Sequence, residues 1–172
     1  MKKVILLCLV IPFSIGSIGS SIAQYEQVEI DVQKHPNILG VPGRYQWLFQ
    51  ACEDETGFPA EIVGRLVGNA ENWGWNPKAK GPKRKDGHRD LGLFQHNSKY
   101  VPEFAYRYND GKPYDPMDPI QAAIITFKIL ADNYRQLNGD MTMTIASYRQ
   151  GVSGVKKNGP TMWYVNRILG EQ

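Results

Sequence analysis

One glutamate lies where a carboxyl group would be able to act as an acid. Glu71 ends an apolar helical stretch over 59–70, and an aromatic segment, Asn-Trp-Gly-Trp-Asn-Pro, follows it. A carboxyl group between a helix end and two tryptophans loses hydration, which disfavours its charged form and raises its pKa. A carboxylic acid that stays protonated near neutral pH can donate a proton to a glycosidic oxygen. The simpler interpretation is a hydrated glutamate at a helix end, which is the usual situation for this residue type.

Three segments downstream combine amide, hydroxyl and aromatic groups. They are Leu-Gly-Leu-Phe-Gln at 91–95, Ser-Tyr-Arg-Gln-Gly at 147–151 and Tyr-Val-Asn-Arg-Ile-Leu at 164–169. Together with the segment that begins at Glu71, their order and spacing resemble the soluble-type (SLT) catalytic domain of lytic transglycosylases, in the lysozyme-like superfamily. Members carry Glu-Ser-x-aromatic-x-Pro, Gly-Leu-Met-Gln, Ala-Tyr-Asn-x-Gly and Tyr-Val-x-x-(Ile/Val)-Leu. The resemblance extends over about residues 55–170 and implies an enzyme that cleaves peptidoglycan.

The resemblance implies roles for individual residues. Glu71 falls on the catalytic acid and base, and Tyr148 falls on a tyrosine whose hydroxyl faces that glutamate. Gly92, Phe94 and Gln95 fall on the segment that lines the sugar groove. There Phe94 replaces a methionine as an apolar wall, and Gln95 would supply amide hydrogen bonds to the sugar.

Several positions depart from the family pattern. Asn72 replaces the serine after the glutamate, and its amide can make similar hydrogen bonds. Arg149 replaces an asparagine, and its charge would lower the pKa of Glu71 if it points into the groove. The stretch 78–90 is longer than in many members and would reshape the groove edge. Tyr164 falls on the final helix, which closes the lobe.

Aromatic residues are concentrated around these segments and offer faces on which sugars can stack. Aromatic side chains of a small helical domain mostly belong to its core, so we expect only one or two in the groove. Tyr106 or Tyr108 is favoured over Trp73 for that position. The predicted substrate-binding residues are Asn72, Gly92, Phe94, Gln95, Tyr106 and Tyr148.

The number of carboxyl groups near Glu71 decides which reaction is expected. Ordinary glycosidases use two carboxylates, about 5–5.5 Å apart for retention or about 6.5–9.5 Å apart for inversion. Lytic transglycosylases work with one, because the substrate's N-acetyl group assists and the same glutamate then deprotonates the 6-hydroxyl group, giving a 1,6-anhydro sugar. No acidic residue lies between Glu71 and Asp86, and Asn97 stands where goose-type lysozymes place an aspartate. This favours a lytic transglycosylase that cleaves the β-1,4 bond between MurNAc and GlcNAc.

Two alternatives stay open. Asp86 precedes the Gly-Leu-Phe-Gln segment at a spacing similar to that of another goose-type aspartate. There it would activate water and make the protein a goose-type-like muramidase that hydrolyses the same bond. The Asp-Gly pair at 86–87 is otherwise a turn, and Asp90 is a further candidate. The second alternative is an inactive glycan-binding or assembly protein of an envelope-spanning system, which Asn72 and Arg149 would suit.

Metal and cysteine chemistry have little support in the sequence. His35, His88 and His96 are scattered without ligand spacing, so neither a metal site nor a cofactor is predicted. His96 adjoins the groove segment and is expected at its edge or on the surface. Cys52 lies at core spacing in an amphipathic stretch, which favours a buried thiol over a nucleophile. If Cys8 is removed with a signal peptide, no internal disulfide can form.

The N-terminus has the pattern of a secretory signal peptide. Lys2 and Lys3 precede an apolar run over 4–13, and Ser-Ile-Ala at 21–23 is a small-x-small cleavage signal. The run is short for a transmembrane helix, and an uncleaved anchor is the alternative. The predicted organisation is a signal peptide over 1–23, an extended segment over 24–42 and the catalytic domain over 43–172. Export across the inner membrane would place this domain in the periplasm or outside the cell.

The elements that position these residues are predicted to be helical. The longest helix has a broad apolar surface, which suggests that it lies at the centre of the domain. Residues 72–92 are predicted as loop, and the chain after Gln95 as irregular to 115. The fold class is therefore mainly α, a single lysozyme-like helical domain around a central helix. The predicted helices cover about 44–55, 59–70, 119–138 after Asp118 as N-cap, 142–148 and 162–169.

The charge of the chain limits its partners. A net charge of +3 does not indicate nucleic acid. Six of the twelve residues in 78–89 are basic, which indicates either a solvated loop or contact with an anionic polymer such as the peptide carboxylates of a cell wall. Peptidoglycan strands are the expected partner. The small size of the domain also suggests an envelope-spanning secretion or conjugation machine, with the protein as a monomer that has no membrane contact after signal cleavage.

Overall fold

The computed structural model describes residues 4–8, 26–30 and 37–170, which fall into two units. In the first unit, strand β1 (Val4–Cys8) pairs antiparallel with strand β2 (Glu26–Ile30), with Val4 opposite Ile30. The predicted cleavage site after Ala23 lies outside the described residues. The signal peptide and the boundary at residue 24 therefore stay predictions.

The second unit is mainly α-helical, as predicted. A short 3₁₀ turn over Gly43–Tyr45 precedes its first helix, and a π-helical turn over Leu66–Glu71 continues its second one. Within the described residues, none of the helices is both long enough and apolar enough to cross a membrane. The helices are α1 (Gln46–Thr56), α2 (Ala60–Arg65), α3 (Val101–Tyr108), α4 (Pro119–Gln136), α5 (Met141–Gln150), α6 (Val152–Asn158) and α7 (Met162–Leu169).

Helix α4 is the predicted central helix. Asp118 caps it, since its carboxylate accepts hydrogen bonds from the backbone N–H groups of Ile120 and Gln121. Pro119 stands in the first turn, where its missing N–H costs nothing. The helix packs against α1, α3 and α5. Nine of its eighteen residues are buried, most of them apolar, because the helix contacts several neighbours.

The helices before Glu71 agree with the sequence pattern except in their last turn. Helix α1 ends at Thr56, and the next residue, Gly57, has a left-handed φ of 71° that suits glycine. In the π turn, the N–H of Asn72 bonds to the carbonyl of Val67 at 2.8 Å, five residues back. Gly64 permits a close approach to the segment before α1, because a Cβ there would lie 2.5 Å from a methyl group of Val41.

Two helices and a small hairpin were not predicted. Strands β3 (Asp90–Leu91) and β4 (His96–Asn97) pair antiparallel, within a stretch expected to be loop. Helix α3 lies in the region expected to be irregular, although Val101, Phe104, Ala105 and Tyr108 follow helical spacing and pack on one side of it. Helix α6 is seven residues long and contains Gly154, which lowers helix propensity. Helix α3 packs against α4 and helix α6 against α5, and these contacts stabilise them in the folded domain.

Aromatic packing holds the core beneath the loop that follows Glu71. The ring of Phe49 on α1 lies 5.8 Å from Trp75, 5.9 Å from Phe94 and 5.7 Å from Phe127, measured between centroids. These contacts tie the loop after Glu71 and the segment before β4 to the central helix. Cys52 belongs to the same core, and burial raises the pKa of its thiol to about 12, which agrees with a structural role.

Candidate active site

Glu71 lies in an open cavity of about 710 Å³ in the second unit. The π turn, the β3–β4 hairpin and helices α3, α4, α5 and α6 all contribute to its wall. Several elements distant in sequence thus meet around one carboxyl group. The residues in the wall that bear on its chemistry are Glu71, Arg84, Asp90, Gln95, Asn97, Tyr148, Arg149 and Lys156.

Tyr164 on α7 makes the direct contact with Glu71. Its hydroxyl donates a hydrogen bond to Glu71 Oε1 at 2.5 Å, across 93 residues of sequence. The Tyr164 side chain is 1% exposed, so its position is set by packing. From sequence, Tyr164 was placed only on the closing helix. The family motif predicts a tyrosine at this position, but it does not predict that the hydroxyl contacts the glutamate.

The pKa of Glu71 is raised above its ordinary value. Burial is the largest cause, because it disfavours the charged carboxylate. The hydrogen bond from Tyr164 and the charge of Arg149 both oppose the rise, and the negative charge of Asp90 adds to it. Loss of hydration therefore outweighs the arginine, so a protonated Glu71 is favoured relative to a glutamate in water.

The surroundings that bury Glu71 differ from those expected. Trp73 is 86% exposed and points away from the interior. Trp75 packs into the core instead, with its ring 6.0 Å from that of Tyr45. The groups around Glu71 are Tyr164, which bonds to it, and Tyr148, whose pKa its charge raises. Side chains from α5 and α7 thus surround the carboxyl group, and sequence proximity to the two tryptophans was misleading.

Arg149 lies close enough to Glu71 for its charge to matter, although its side chain is exposed. Its guanidinium carbon stands 5.0 Å from the centre of the Trp163 ring and 5.9 Å from that of Tyr164. Cation–π contacts of this kind hold the side chain against α7. Arg149 therefore stands at the cavity wall beside the residue that bonds to Glu71.

Tyr148 lines the cavity and donates its hydroxyl hydrogen to the backbone carbonyl of Phe94 at 2.7 Å. Burial raises its pKa well above the ordinary value, and the charge of Glu71 adds to this effect. Its hydroxyl thus stays protonated and is near Glu71, as the resemblance implied. The hydrogen bond, however, joins α5 to the segment before β4, while Tyr164 supplies the one to the glutamate.

Gln95 lines the cavity with a φ of 52°, a left-handed conformation that is unusual for a residue with a side chain. Its amide Nε2 donates to the carbonyl of Gly92 at 2.7 Å. This bond holds the side chain and uses one donor, so the remaining amide groups are those available to a sugar. Strain held at such a position is typical of functional sites.

Three of the predicted binding residues lie behind the cavity wall and support it. Gly92 has a φ of 77°, and a Cβ there would lie only 1.9 Å from the carbonyl oxygen of Pro116. Phe94 has no exposed surface and packs against Phe49. Asn72 is 6% exposed, and its amide donates to the carbonyl oxygens of Asn76 and Gly92. Their side chains, or the lack of one, shape the wall without facing the cavity.

Asp90 is the acidic residue that shares the cavity with Glu71 at the hairpin. Arg84 lies 2.6 Å from Asp90 Oδ2, and the amide of Asn97 donates to Oδ1 at 2.9 Å. Both carboxylate oxygens thus have partners within the protein. Asp86 instead accepts a hydrogen bond from the backbone N–H of His88 at 3.1 Å, on an exposed turn. It is not among the residues of the cavity wall.

Aromatic residues of α3 and the turn before it line one side of the cavity. Tyr100, Phe104 and Tyr108 are in this wall, whereas Tyr106 is 80% exposed and lies outside it. Of the two candidates for stacking, Tyr108 is therefore the one in position. Its hydroxyl donates to Asp132 Oδ2 at 2.9 Å, which fixes the ring. Tyr106 faces solvent because neighbouring residues of a helix point in different directions.

His96 lines the cavity, which agrees with one of its two expected positions, and it is buried instead of lying on the surface. Its Nε2 lies 2.8 Å from the hydroxyl oxygen of Thr126, and its Nδ1 lies 2.8 Å from that of Tyr114. Burial lowers the pKa of His96 to about 3, so the ring is neutral at physiological pH. Among the described residues there is no group of three or more His, Cys, Asp and Glu side chains that would hold a metal ion.

Comparison with known proteins agrees with the arrangement of these motifs. Residues 71–161, more than half of the 172-residue chain, match the family model described as the transglycosylase SLT domain. The match begins at Glu71 and includes both Gln95 and Tyr148, while Tyr164 lies just beyond its end. Searches of curated proteins and of solved structures gave no match.

Proposed function

Since the chain belongs to the transglycosylase SLT domain family, we propose that it is a peptidoglycan lytic transglycosylase with Glu71 as its single catalytic residue. It cleaves the β-1,4 bond between MurNAc and GlcNAc and leaves 1,6-anhydro-MurNAc ends. The observation that carries this proposal is the environment of Glu71. The carboxyl group is buried in a cavity, its pKa is raised, and it is held by the hydroxyl of Tyr164.

In the first step, Glu71 acts as a general acid. Its carboxyl proton passes to the glycosidic oxygen as the bond from that oxygen to the anomeric carbon breaks. The carbonyl oxygen of the substrate's own N-acetyl group bonds to the anomeric carbon, giving a cyclic oxazolinium ion. Glu71 is now a carboxylate, and the hydrogen bond from Tyr164 stabilises that form.

In the second step, the same carboxylate acts as a base. It takes the proton of the 6-hydroxyl group while the oxygen of that group bonds to the anomeric carbon and the oxazolinium ring opens. The acetamido group and protonated Glu71 are restored, and no water is consumed. A carboxyl group with a raised pKa suits both steps, because it is protonated at the start and basic enough afterwards.

The state of Asp90 supports a single-carboxylate mechanism over hydrolysis. Its two oxygens already bind Arg84 and Asn97, so neither oxygen is without a partner and free for an attacking water. Asp86, the residue considered for that role from sequence, binds the turn at His88 and stands outside the cavity wall. A muramidase would need one of these carboxylates next to a water at the anomeric carbon.

Product analysis tests the proposal. Purified protein is incubated with peptidoglycan sacculi, and the released muropeptides are separated and weighed by mass spectrometry. Products lighter than the hydrolysis products by one water, with no reducing end, are expected. Reducing ends would indicate the muramidase. The Glu71→Gln variant should lose at least about a hundredfold in rate, because its amide cannot donate a proton as an acid does.

Glu61→Gln is the matched control, since Glu61 is an exposed residue of α2 that pairs with Arg65 outside the cavity. It should keep the wild-type rate. If wild type released nothing from any wall preparation, the glycan-binding or assembly role would be the better account. Equal activity of the Glu71→Gln variant and wild type would remove Glu71 from the mechanism.

The place of action is part of the same proposal. The basic start and apolar run over 2–13, followed by the small-x-small signal at 21–23, support export to the periplasm or beyond. An envelope-spanning secretion or conjugation machine is the proposed setting, where local opening of the wall is needed. N-terminal sequencing of the exported protein tests the first point, and a mature end at Gln24 is expected.

A further inference from the structure

Arg149 is distinguished from the other arginines of the cavity by its lack of an acidic partner. Three arginines line the wall. Arg84 lies 2.6 Å from Asp90, and Arg107 lies 3.2 Å from Asp132. In the part of the chain that the structure describes, no Asp or Glu oxygen is within 4.0 Å of the Arg149 guanidinium. Its charge is therefore available to a bound molecule.

The aromatic contacts of Arg149 set its guanidinium in place and leave its donors free. The rings of Trp163 and Tyr164 lie 5.0 Å and 5.9 Å from the guanidinium carbon. Such cation–π contacts hold the guanidinium by its charge and do not use its N–H donors in hydrogen bonds to protein acceptors. No hydrogen bond from this side chain joins it to another described residue. A planar fork of free N–H donors is suited to a carboxylate.

A second cation stands on the same side of the cavity. Lys156 on α6 also lines the wall, is exposed, and has no acidic partner within 4.0 Å among the described residues. Apart from Glu71, the acidic residues of the wall stand elsewhere, with Asp90 on β3 and Glu103 on α3. The side formed by α5 and α6 is thus positive, so an anionic group of a bound glycan would be attracted to it.

We propose that Arg149 binds a carboxylate carried by the muramyl part of the glycan, and so makes the enzyme select carboxylate-bearing strands over neutral ones. The inference rests on the proposed function. In a strand that keeps its peptides, the lactyl group is an amide and the carboxylates belong to the peptide. In a strand without peptides, the lactyl group itself ends in a carboxylate. Both sources share the chemistry that a guanidinium recognises.

Binding of glycans to a variant that does not cleave them tests this role. In the Glu71→Gln background, calorimetry measures the affinity for three glycans of equal length. One is a neutral oligomer of GlcNAc, the second a peptide-free oligomer of GlcNAc and MurNAc, and the third the same oligomer with its peptides. Adding Arg149→Gln should weaken binding of a carboxylate-bearing oligomer about tenfold. Binding of the neutral oligomer should stay unchanged.

The two carboxylate-bearing oligomers identify the source. If Arg149→Gln weakens the affinity for the peptide-free oligomer, Arg149 binds the lactyl carboxylate. If it weakens only the affinity for the peptide-bearing oligomer, Arg149 binds a carboxylate of the peptide. Arg167→Gln is the matched control, because Arg167 is an exposed arginine of α7 outside the cavity wall. It removes the same charge and should leave all three affinities unchanged. Arg149→Lys, which keeps the charge but not the fork, should recover only part of the affinity.

Equal weakening on neutral and carboxylate-bearing oligomers would overturn the inference, and so would no weakening on any of them. Circular dichroism of the Arg149→Gln variant excludes misfolding as the cause of a loss. Failure of the proposed function is recognised separately, since wild type would then release no anhydro product from sacculi. The binding measurement keeps its meaning in that case, because the Glu71→Gln background does not depend on turnover.

Discussion

The hydroxyl of Tyr164 donates a hydrogen bond to Glu71 Oε1 at 2.5 Å and joins the π turn to the last helix. The two residues are 93 positions apart, and each is held by its own element. The bond has two effects. It orients the carboxyl group toward the cavity, and it stabilises the carboxylate, so it opposes the rise in the pKa of Glu71 caused by burial.

Removal of this hydroxyl in Tyr164→Phe should therefore change both the rate and its pH dependence. The maximal rate is expected to fall by roughly tenfold or more, because a carboxyl group without its partner is less well oriented. The pKa of Glu71 should rise further, so the alkaline limb of the activity profile moves to higher pH. A pH series of kcat/KM on a soluble glycan measures both effects.

Tyr134→Phe serves as the control for that series. Tyr134 is a partly exposed tyrosine of α4 outside the cavity wall, so the substitution should leave rate and limb unchanged. A Tyr164→Phe variant with a lower rate but an unmoved limb would show that the hydroxyl supports the fold without acting on the carboxyl group.

Arg149→Asn, which introduces the residue found in the family motif, should also move the alkaline limb to higher pH. The positive charge of Arg149 favours the carboxylate and lowers the pKa of Glu71, so its removal lets the pKa rise. High salt should reduce the difference between variant and wild type, because Arg149 is exposed and its charge is screened.

Arg107→Gln is the comparison for this effect. Arg107 lines the same cavity but is paired with Asp132, and it is not among the groups that shift the pKa of Glu71. The alkaline limb of the activity profile of Arg107→Gln should coincide with that of wild type. A limb that moved equally in both variants would mean that the general charge of the cavity, and not Arg149, sets the acidity.

The helices that carry this site could be predicted from the sequence, because their apolar spacing depends on local structure. The helices around Glu71 and the central helix follow apolar spacing, so their positions were predicted to within a few residues. The wall of the cavity was harder to predict. The roles of Phe94 and Tyr106 depend on which way each side chain points, and that is set by packing with distant segments. The same holds for Tyr164, whose partner is 93 residues away.

Gly92→Ala should destabilise the fold strongly. The backbone at this position has a φ of 77°, and an added Cβ would lie 1.9 Å from the carbonyl oxygen of Pro116. Because backbone atoms on both sides must shift, the free energy of unfolding should fall by about 3 kcal/mol or more. Gly74→Ala is the control, since a Cβ there has nothing within 4 Å. Urea unfolding compares the two, and equal stabilities would contradict the close approach.

The buried His96 should make the protein sensitive to acid. Burial lowers its pKa to about 3 in the folded state, against an ordinary value of 6.5. The unfolded chain therefore binds this proton first as the pH falls. The contribution of a neutral His96 to stability is complete above about pH 6.5 and is lost progressively toward about pH 3. Between those limits, the free energy of unfolding should fall by about 1.4 kcal/mol per pH unit from this group.

Urea unfolding at about pH 6 and about pH 4 measures this slope. His96→Gln loses the hydrogen bonds to Thr126 and Tyr114, so it should be less stable than wild type at both pH values. Its stability should nevertheless depend less on pH, because the titrating group is gone. His88→Gln is the matched control, because it removes a histidine whose ring lies against Ser98 in the basic loop and leaves His96 in place. If His96→Gln retained the full slope, acid sensitivity would have to arise from carboxyl groups, and the buried imidazole would have no part in it.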